Sequence, residues 1–440
     1  MSDTVIDNGL QTRKIAYHIL CEVLLRKTPL DQVLARHGEF NGLEEARDRA
    51  FVRMLVATCL RRKGQIDDLI RRTVDKDREI HPQSLGVILS IGVCQVIFMN
   101  VPSHAAVDTT VNLAEAENMS RQKGFINAVL RRMTSEGQEW VKKQDAVQMN
   151  MPSWLLRQWI DDYGLSGAAE IAQGSLAEAP TDISIKNQNE ENYWAGELDA
   201  SVLPTGSLRR SGGGNVTDLK GFDDGAWWVQ DASAALPAKV LGDISGKTVI
   251  DLCAAPGGKT AQLAAGGAQV IAVDRSAKRL ATLKENMDRL QLADHVEVVA
   301  SDGGVWQPPA PVDVVLLDAP CTATGTIRRH PDVMHLKGER DLAQLCDLQS
   351  RLLNNAAAMV KAGGMLVYCT CSLQKAEGEQ QINTFLLSHS DFERKPISAR
   401  EIGGLEDLVT ADGDLRVLPY HLAPQGGMDG FYVARLIKKN

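Results

Sequence analysis

The stretch Asp251-Leu-Cys-Ala-Ala-Pro-Gly-Gly-Lys-Thr260 decides the fold. It starts inside an apolar run of strand length, Thr248–Cys253, and turns at two adjacent glycines. Glycine at such a turn lets the backbone approach a ligand closely. The spacing is not the phosphate loop G-x-x-x-x-G-K-[ST], despite the Gly-Lys-Thr ending, and not the dinucleotide fingerprint G-x-G-x-x-G. Neither ATP nor NAD is therefore the expected ligand. Downstream, strand-like runs at Gln269–Asp274, Val296–Asp302, Val312–Asp318, Met365–Cys371 and Phe431–Ile437 alternate with helical patterns at Ser276–Leu292, Asp341–Val360 and Lys375–Leu387. Such alternation predicts a parallel sheet with helices on both faces, an α/β domain over 236–440.

In an open parallel sheet the ligand lies beyond the carboxyl ends of the strands. Three predicted strands end in acids: Asp274, placed to accept ribose hydroxyls, Asp302, placed to meet an adenine amino group, and Asp318. Three acidic strand ends around one glycine-rich turn suggest an adenosine without a phosphate chain, which describes S-adenosylmethionine. The fourth run continues into Asp318-Ala-Pro-Cys321 and the fifth ends in Thr370-Cys371-Ser372, so two thiols and a carboxylate are expected to face the cofactor. That set suits methylation of cytosine carbon 5, where a thiolate adding at carbon 6 makes carbon 5 nucleophilic. Asp318 is the expected acid-base partner at N3 and the exocyclic amine, and Lys259 the cation favouring a thiolate. Cys369, two residues before Cys371, is expected on the same strand face but deeper. The competing reading makes Cys369 and Cys371 ordinary buried strand cysteines. One Cys-x-Cys lacks the spacing of a zinc site, and no metal is expected.

Residues 1–143 read as all helix, with apolar residues recurring at three and four in Ile15, Ile19, Val23 and Leu24. Residues 144–235 read as a small α+β domain, beginning with a helix over Trp154–Tyr163. The net charge is −8, which argues against a wholly basic nucleic-acid binder. Its distribution is uneven: residues 1–143 hold 21 Lys+Arg against 18 Asp+Glu, and the remainder 27 against 38. Arg61-Arg62-Lys63, Arg71-Arg72 and Arg131-Arg132 are candidates for an RNA phosphate face, with solvated helix ends as the competing reading. The longest apolar run, Leu85–Val101, contains Ser90 and Gln95 and is short for a membrane span, so it predicts a buried helix. Eight scattered cysteines and an N-terminus without a basic-then-apolar leader predict a reduced, cytoplasmic protein.

The glycine-rich stretch, Asp318-Ala-Pro-Cys-Thr-Ala-Thr-Gly325 and Thr370-Cys-Ser372 together resemble the NOL/NOP/Sun family of RNA cytosine-5 methyltransferases. Val229-Gln-Asp-Ala-Ser233 and Asp429-Gly-Phe-Tyr-Val-Ala-Arg-Leu436 extend the likeness, which covers about 230–440. It implies a Rossmann-like class I methyltransferase domain using S-adenosylmethionine, with Cys371 as nucleophile and Cys321 assisting release of the methylated RNA. It also implies cofactor contacts at Cys253, Ala254, Ala255, Pro256, Gly257, Gly258, Lys259, Asp274, Asp302 and Asp318, with Arg279 as a further candidate. Pro-Cys-Thr-Ala323 departs from the family's commoner Pro-Cys-Ser-Gly, though Thr322 keeps the hydroxyl. Segments 50–70 and Gly124-Phe-Ile-Asn-Ala-Val-Leu-Arg-Arg-Met133 resemble the NusB-like helical domain. Joined to this catalytic part, it is similar to the bacterial B-type 16S rRNA methyltransferases, which implies 16S rRNA as partner, no membrane partner and a monomer. Arg328-Arg329-His330-Pro331 is a further candidate for RNA phosphate. A non-enzymatic RNA-binding factor and a tRNA methyltransferase are the alternatives.

Overall fold

In the computed structural model, which describes residues 2–74 and 80–440, the chain divides into two units: 1–157 with 330–337, and 158–329 with 338–440. The first unit is helical. The helix Gln83–Phe98 is apolar on all sides and buried along most of its length, as befits the centre of a bundle. Its polar residues are satisfied: Ser90 Oγ donates to Gly86 O at 2.8 Å, and Gln95 Oε1 accepts from Arg13 Nε at 2.8 Å. Helices Ala46–Arg61, Ser103–Ala116 and Lys123–Val141 pack around it. At Gly92 a Cβ would stand 2.8 Å from Leu130, so only glycine permits this approach. Among the described residues no helix is long and apolar enough to cross a membrane.

The second unit opens with most of the helix Ser153–Ser175, kinked at Gly164 (φ 71°, ψ 172°). It is followed by four short antiparallel strands: β1 Thr181–Ile185, β2 Ala200–Val202, β3 Leu208–Arg210 and β4 Trp227–Val229, in the order β2-β3-β1-β4. They keep an apolar cluster of their own, centred on Ile183, Leu208 and Trp227. The stretch 144–235, expected as one middle domain, is shared between the units at 157/158.

The larger sheet holds β5 Thr248–Leu252, β6 Gln269–Asp274, β7 Val296–Ala300, β8 Val312–Asp318, β9 Val360–Thr370, β10 Phe392–Arg394, β11 Leu415–Val417 and β12 Phe431–Lys438. Their order is β10-β12-β9-β8-β5-β6-β7, with β11 beside β12. Alternate residues serve opposite faces. Val314, Leu316, Val367 and Cys369 join one apolar core, while Val315, Leu317, Leu366 and Tyr368 join the other. The strands β7, β6, β5, β8 and β9 are parallel, and the order reverses at β5, where a ligand crevice belongs.

Two local expectations change. The last strand, β12, is antiparallel to β9 and β10, because the chain reaches the edge strand β10 first and then returns between the two. The helix expected over 375–387 begins only at Glu379. Gly378, at φ −123° and ψ −99°, is not helical and interrupts the run; a Cβ there would come within 2.5 Å of Arg416 Nη2 and 2.9 Å of Tyr432. The preceding turn, Lys375–Glu377, folds separately.

Candidate active site

The turn after β5 is shaped by backbone. Cys253 has φ 67°, and its N–H and that of Ala254 donate to Val273 O at 2.8 and 3.1 Å. Gly257, at φ 105°, starts the helix Gly258–Ala265, and a Cβ there would stand 2.9 Å from Leu283. Asp274, buried at the end of β6, accepts from Ala255 N at 3.2 Å and Ser276 N at 2.9 Å. Arg279 reaches the same carboxylate at 3.3 Å and donates to Ala255 O, so it braces the turn. Asp302 lies two residues beyond β7, exposed, with Oδ1 accepting from Gly304 N at 2.8 Å. Beneath the turn, Asp251 is wholly buried. Burial pushes its carboxyl up to about 7, against the hydrogen bond from Thr260 Oγ1 at 2.6 Å. Burial and the charges of Asp318 and Asp274 push the Cys253 thiol up to about 12.

At the end of β8, Asp318 Oδ2 accepts from Lys259 Nζ at 2.7 Å. Burial opposes the charge on Lys259, but the charge and hydrogen bond of Asp318, together with Cys369 and Asp251, hold the ammonium above its ordinary range. The ammonium also lies 5.0 Å from the centre of the Phe431 ring. Cys369 Sγ is 3.6 Å from Asp318 Oδ1 and fully buried, and burial with that nearby charge raises its thiol well above the usual range. Cys371, just past β9, packs against the same core as Cys369 but is half-buried. The two therefore share a face, with Cys369 the deeper.

The loops after β8 and β9 bring Cys321 and Cys371 to a sulfur–sulfur distance of 3.4 Å. The contact with Cys371, burial and the charge of Glu377 all raise the Cys321 thiol well above its ordinary value. The loops run side by side at Gly325, whose N–H donates to Cys371 O at 2.9 Å; a Cβ there would stand 2.1 Å from Gly430 O. Arg416, on β11, donates to Ser372 O at 2.7 Å and pairs with Glu379. Tyr163 OH donates to Leu373 O at 2.6 Å, and Asp162 accepts from Lys375 N at 2.9 Å. Thr322 and Ser372 both bond to Glu377 at 2.5 Å. Sequence reasoning missed Glu377, Gln349, Arg416 and Tyr163; their long-range hydrogen bonds leave no local pattern. Ala323 takes φ 59°, a left-handed position that suits the glycine commoner in the family.

Arg328 and Arg329 are not placed for RNA phosphate. Arg328 is 1% exposed and donates to Gly426 O at 2.6 Å. Arg329 donates to Asp231 at 2.6 Å, to Asp429 at 2.9 Å and to Pro180 O at 2.9 Å. The buried acids claim the guanidinium, which joins the Val229–Ser233 and Asp429–Leu436 motifs. His330 lies in the helical unit, 3.5 Å from Asp31. Of the N-terminal basic clusters, Arg61 is buried, while Lys63, Arg72 and Arg132 pair one helical turn away with Asp67, Asp68 and Glu136. Arg131 and Lys123 line an open groove with His104 and Asn127.

Comparison with known proteins places the two halves separately. Residues 238–437 match the family model for 16S rRNA methyltransferase RsmB/F, and residues 10–135 match the NusB family. The ribosomal RNA small subunit methyltransferase B of Serratia proteamaculans is 33% identical over 98% of this chain and 99% of its own. That of Pseudomonas putida is 34% identical over the same shares. The solved structure of PH0851 superposes with a TM-score of 0.76 at 25% identity, covering 97% of this chain and 98% of its own.

Proposed function

The chain belongs to the RsmB/F family of 16S rRNA methyltransferases, and from that premise we propose that it methylates carbon 5 of a cytosine in 16S rRNA through a covalent adduct on Cys371. The observation that carries this reading is the pair of sulfurs 3.4 Å apart at the ends of two parallel strands. A buried structural cysteine needs no second thiol beside it at a strand end, and Cys371 is not fully buried.

The turn 253–259 and the carboxylates of Asp274, Asp302 and Asp318 fit a cationic adenosine. The turn has no phosphate-loop spacing, takes a left-handed conformation at Gly257, and has three carboxylates at the neighbouring strand ends. S-adenosylmethionine, when bound there, supplies the methyl group from its sulfonium. Asp274 would hold the ribose and Asp302 the adenine.

Cys371, as thiolate, forms a bond to carbon 6 of the cytosine, and the electron pair of the 5,6 double bond becomes available at carbon 5. Asp318 accepts from the exocyclic amine. Lys259 keeps that carboxylate paired and oriented, acting through Asp318 rather than on the sulfur. After carbon 5 is methylated, its proton leaves to a base, the 5,6 double bond returns, and the Cys371–carbon 6 bond breaks to give back the thiolate. Cys321 stands where release is assisted. Its raised thiol makes it a poor competing nucleophile. The target base must leave its stack to reach this crevice. In this reading residues 1–143 engage RNA, 144–235 connect, and 236–440 carry the chemistry.

The test is to incubate RNA and small ribosomal subunits from a strain lacking this protein with labelled S-adenosylmethionine, then map the label. One 5-methylcytosine in 16S rRNA is expected. Label confined to tRNA, or none on any RNA, would overturn the reading.

A further inference from the structure

Glu377 is wholly buried and has no task in the reaction above. A buried carboxylate is costly unless donors meet its lone pairs. Here four do. Oε1 accepts from Thr322 N and Gln349 Nε2, each at 2.9 Å. Oε2 accepts from the hydroxyls of Thr322 and Ser372, each at 2.5 Å. Tyr368 OH donates to the Glu377 backbone oxygen at 2.7 Å, which anchors the residue to β9.

The donors are not scattered. Thr322 follows Cys321, Ser372 follows Cys371, and Gln349 also donates to the oxygen of Pro320, which precedes Cys321, at 2.9 Å. One carboxylate thus collects the residues flanking both sulfurs, from two loops and a helix. We infer that Glu377 is a positioning residue that fixes the spacing of the Cys321 and Cys371 sulfurs by fastening their loops to a single side chain. Other ties between the loops do not pass through Glu377: Gly325 N donates to Cys371 O at 2.9 Å, Leu373 N to Thr324 Oγ1 at 3.0 Å and Thr324 Oγ1 to Gln374 Oε1 at 2.5 Å, and the Thr322 and Ser372 hydroxyls stand 3.2 Å apart. The fold is therefore expected to survive its substitution while the sulfurs drift.

Reach and charge can be separated. Glu377→Asp keeps the charge but is one carbon too short to hold both loops. Glu377→Gln keeps the reach, and the two hydroxyls can turn to accept from its amide. The first readout is the rate at which diamide, itself reduced, joins the two thiols into a disulfide in the full-length protein without RNA. Misplacement on the ångström scale costs proximity reactions about a hundredfold. Disulfide formation in Glu377→Asp should therefore slow at least about tenfold, with alkylation of each thiol by iodoacetamide little changed. Glu377→Gln should stay near the wild-type rate. The second readout rests on the reaction proposed above: Glu377→Asp should accumulate RNA bound to Cys371, because Cys321 no longer meets the adduct. Wild-type disulfide kinetics in a folded Glu377→Asp protein would overturn the inference, as would Glu377→Gln being the slower of the two. If Glu377→Asp does not fold, Ser372→Ala and Thr322→Val each remove one tie, and wild-type cross-linking in both overturns it equally. Because cross-linking needs neither RNA nor cofactor, its outcome is independent of whether the proposed reaction is correct.

Discussion

The two halves of the crevice are built in opposite ways. On the side of β5, β6 and β7 the turn is shaped by backbone, with φ values of 67° and 105° at Cys253 and Gly257, and Asp302 stands in solvent. On the side of β8 and β9 the loops are fastened by side chains around the buried Glu377, with Arg416 and Tyr163 adding further ties. In the proposed reaction the two sides have different tasks. A cofactor that enters and leaves at every turnover needs an accessible cradle. A covalent step needs two sulfurs held at one spacing before the substrate arrives, since unpaid positioning adds to the barrier.

Four substitutions break or sharpen this contrast. The largest effect is expected on the fastened side. Cys371→Ser should lower methyl transfer by more than about a thousandfold, the scale on which removing a nucleophile acts. Binding of S-adenosylmethionine, followed by calorimetry, should remain near wild type, because the sulfur belongs to the other half. Transfer at the wild-type rate would remove Cys371 from the chemistry. Cys321→Ala should reduce turnover by about a hundredfold, the range of a lost acid-base group, and trap protein on RNA as a retarded band on a denaturing gel. Normal turnover without that band would deny Cys321 a part in release.

The smaller effects are expected in the cradle and in the backbone. Asp274→Ala should weaken cofactor binding about tenfold, equivalent to about 1.4 kcal/mol. Adduct formation at saturating cofactor should be little altered. An unchanged dissociation constant would dispose of the ribose contact. Ala323→Gly should leave activity in place and stabilise the protein by up to about 1 kcal/mol, by relieving a left-handed alanine. The urea midpoint should rise, and a fall would mean that unfolded-state entropy outweighs the strain.

The same contrast explains what could be read before any coordinates. The cradle was legible because its logic is local: a strand, two glycines and an acid at each neighbouring strand end lie in short segments. Cys321 and Cys371 were legible as strand-end residues for the same reason, and the deeper position of Cys369 follows from strand alternation. The fastening was not. Glu377 fell inside a stretch that reads as continuous helix, which the non-helical backbone of Gly378 interrupts. Arg328 and Arg329 read as a phosphate-binding pair because two adjacent arginines look exposed. Their acidic partners, Asp231 and Asp429, lie about a hundred residues away on either side.

Local alternation and motif spacing in the amino-acid sequence determined the helical half, the doubly covered sheet and the strand ends that carry the glycine-rich turn and the thiols. Tertiary structure alone decided which way β12 runs, which charged groups are consumed as internal ties, and that one buried carboxylate meets both cysteine loops. The reason is physical: periodicity is written between neighbours in the chain, whereas a hydrogen bond such as Glu377 to Thr322 exists only after residues 55 apart have been packed together.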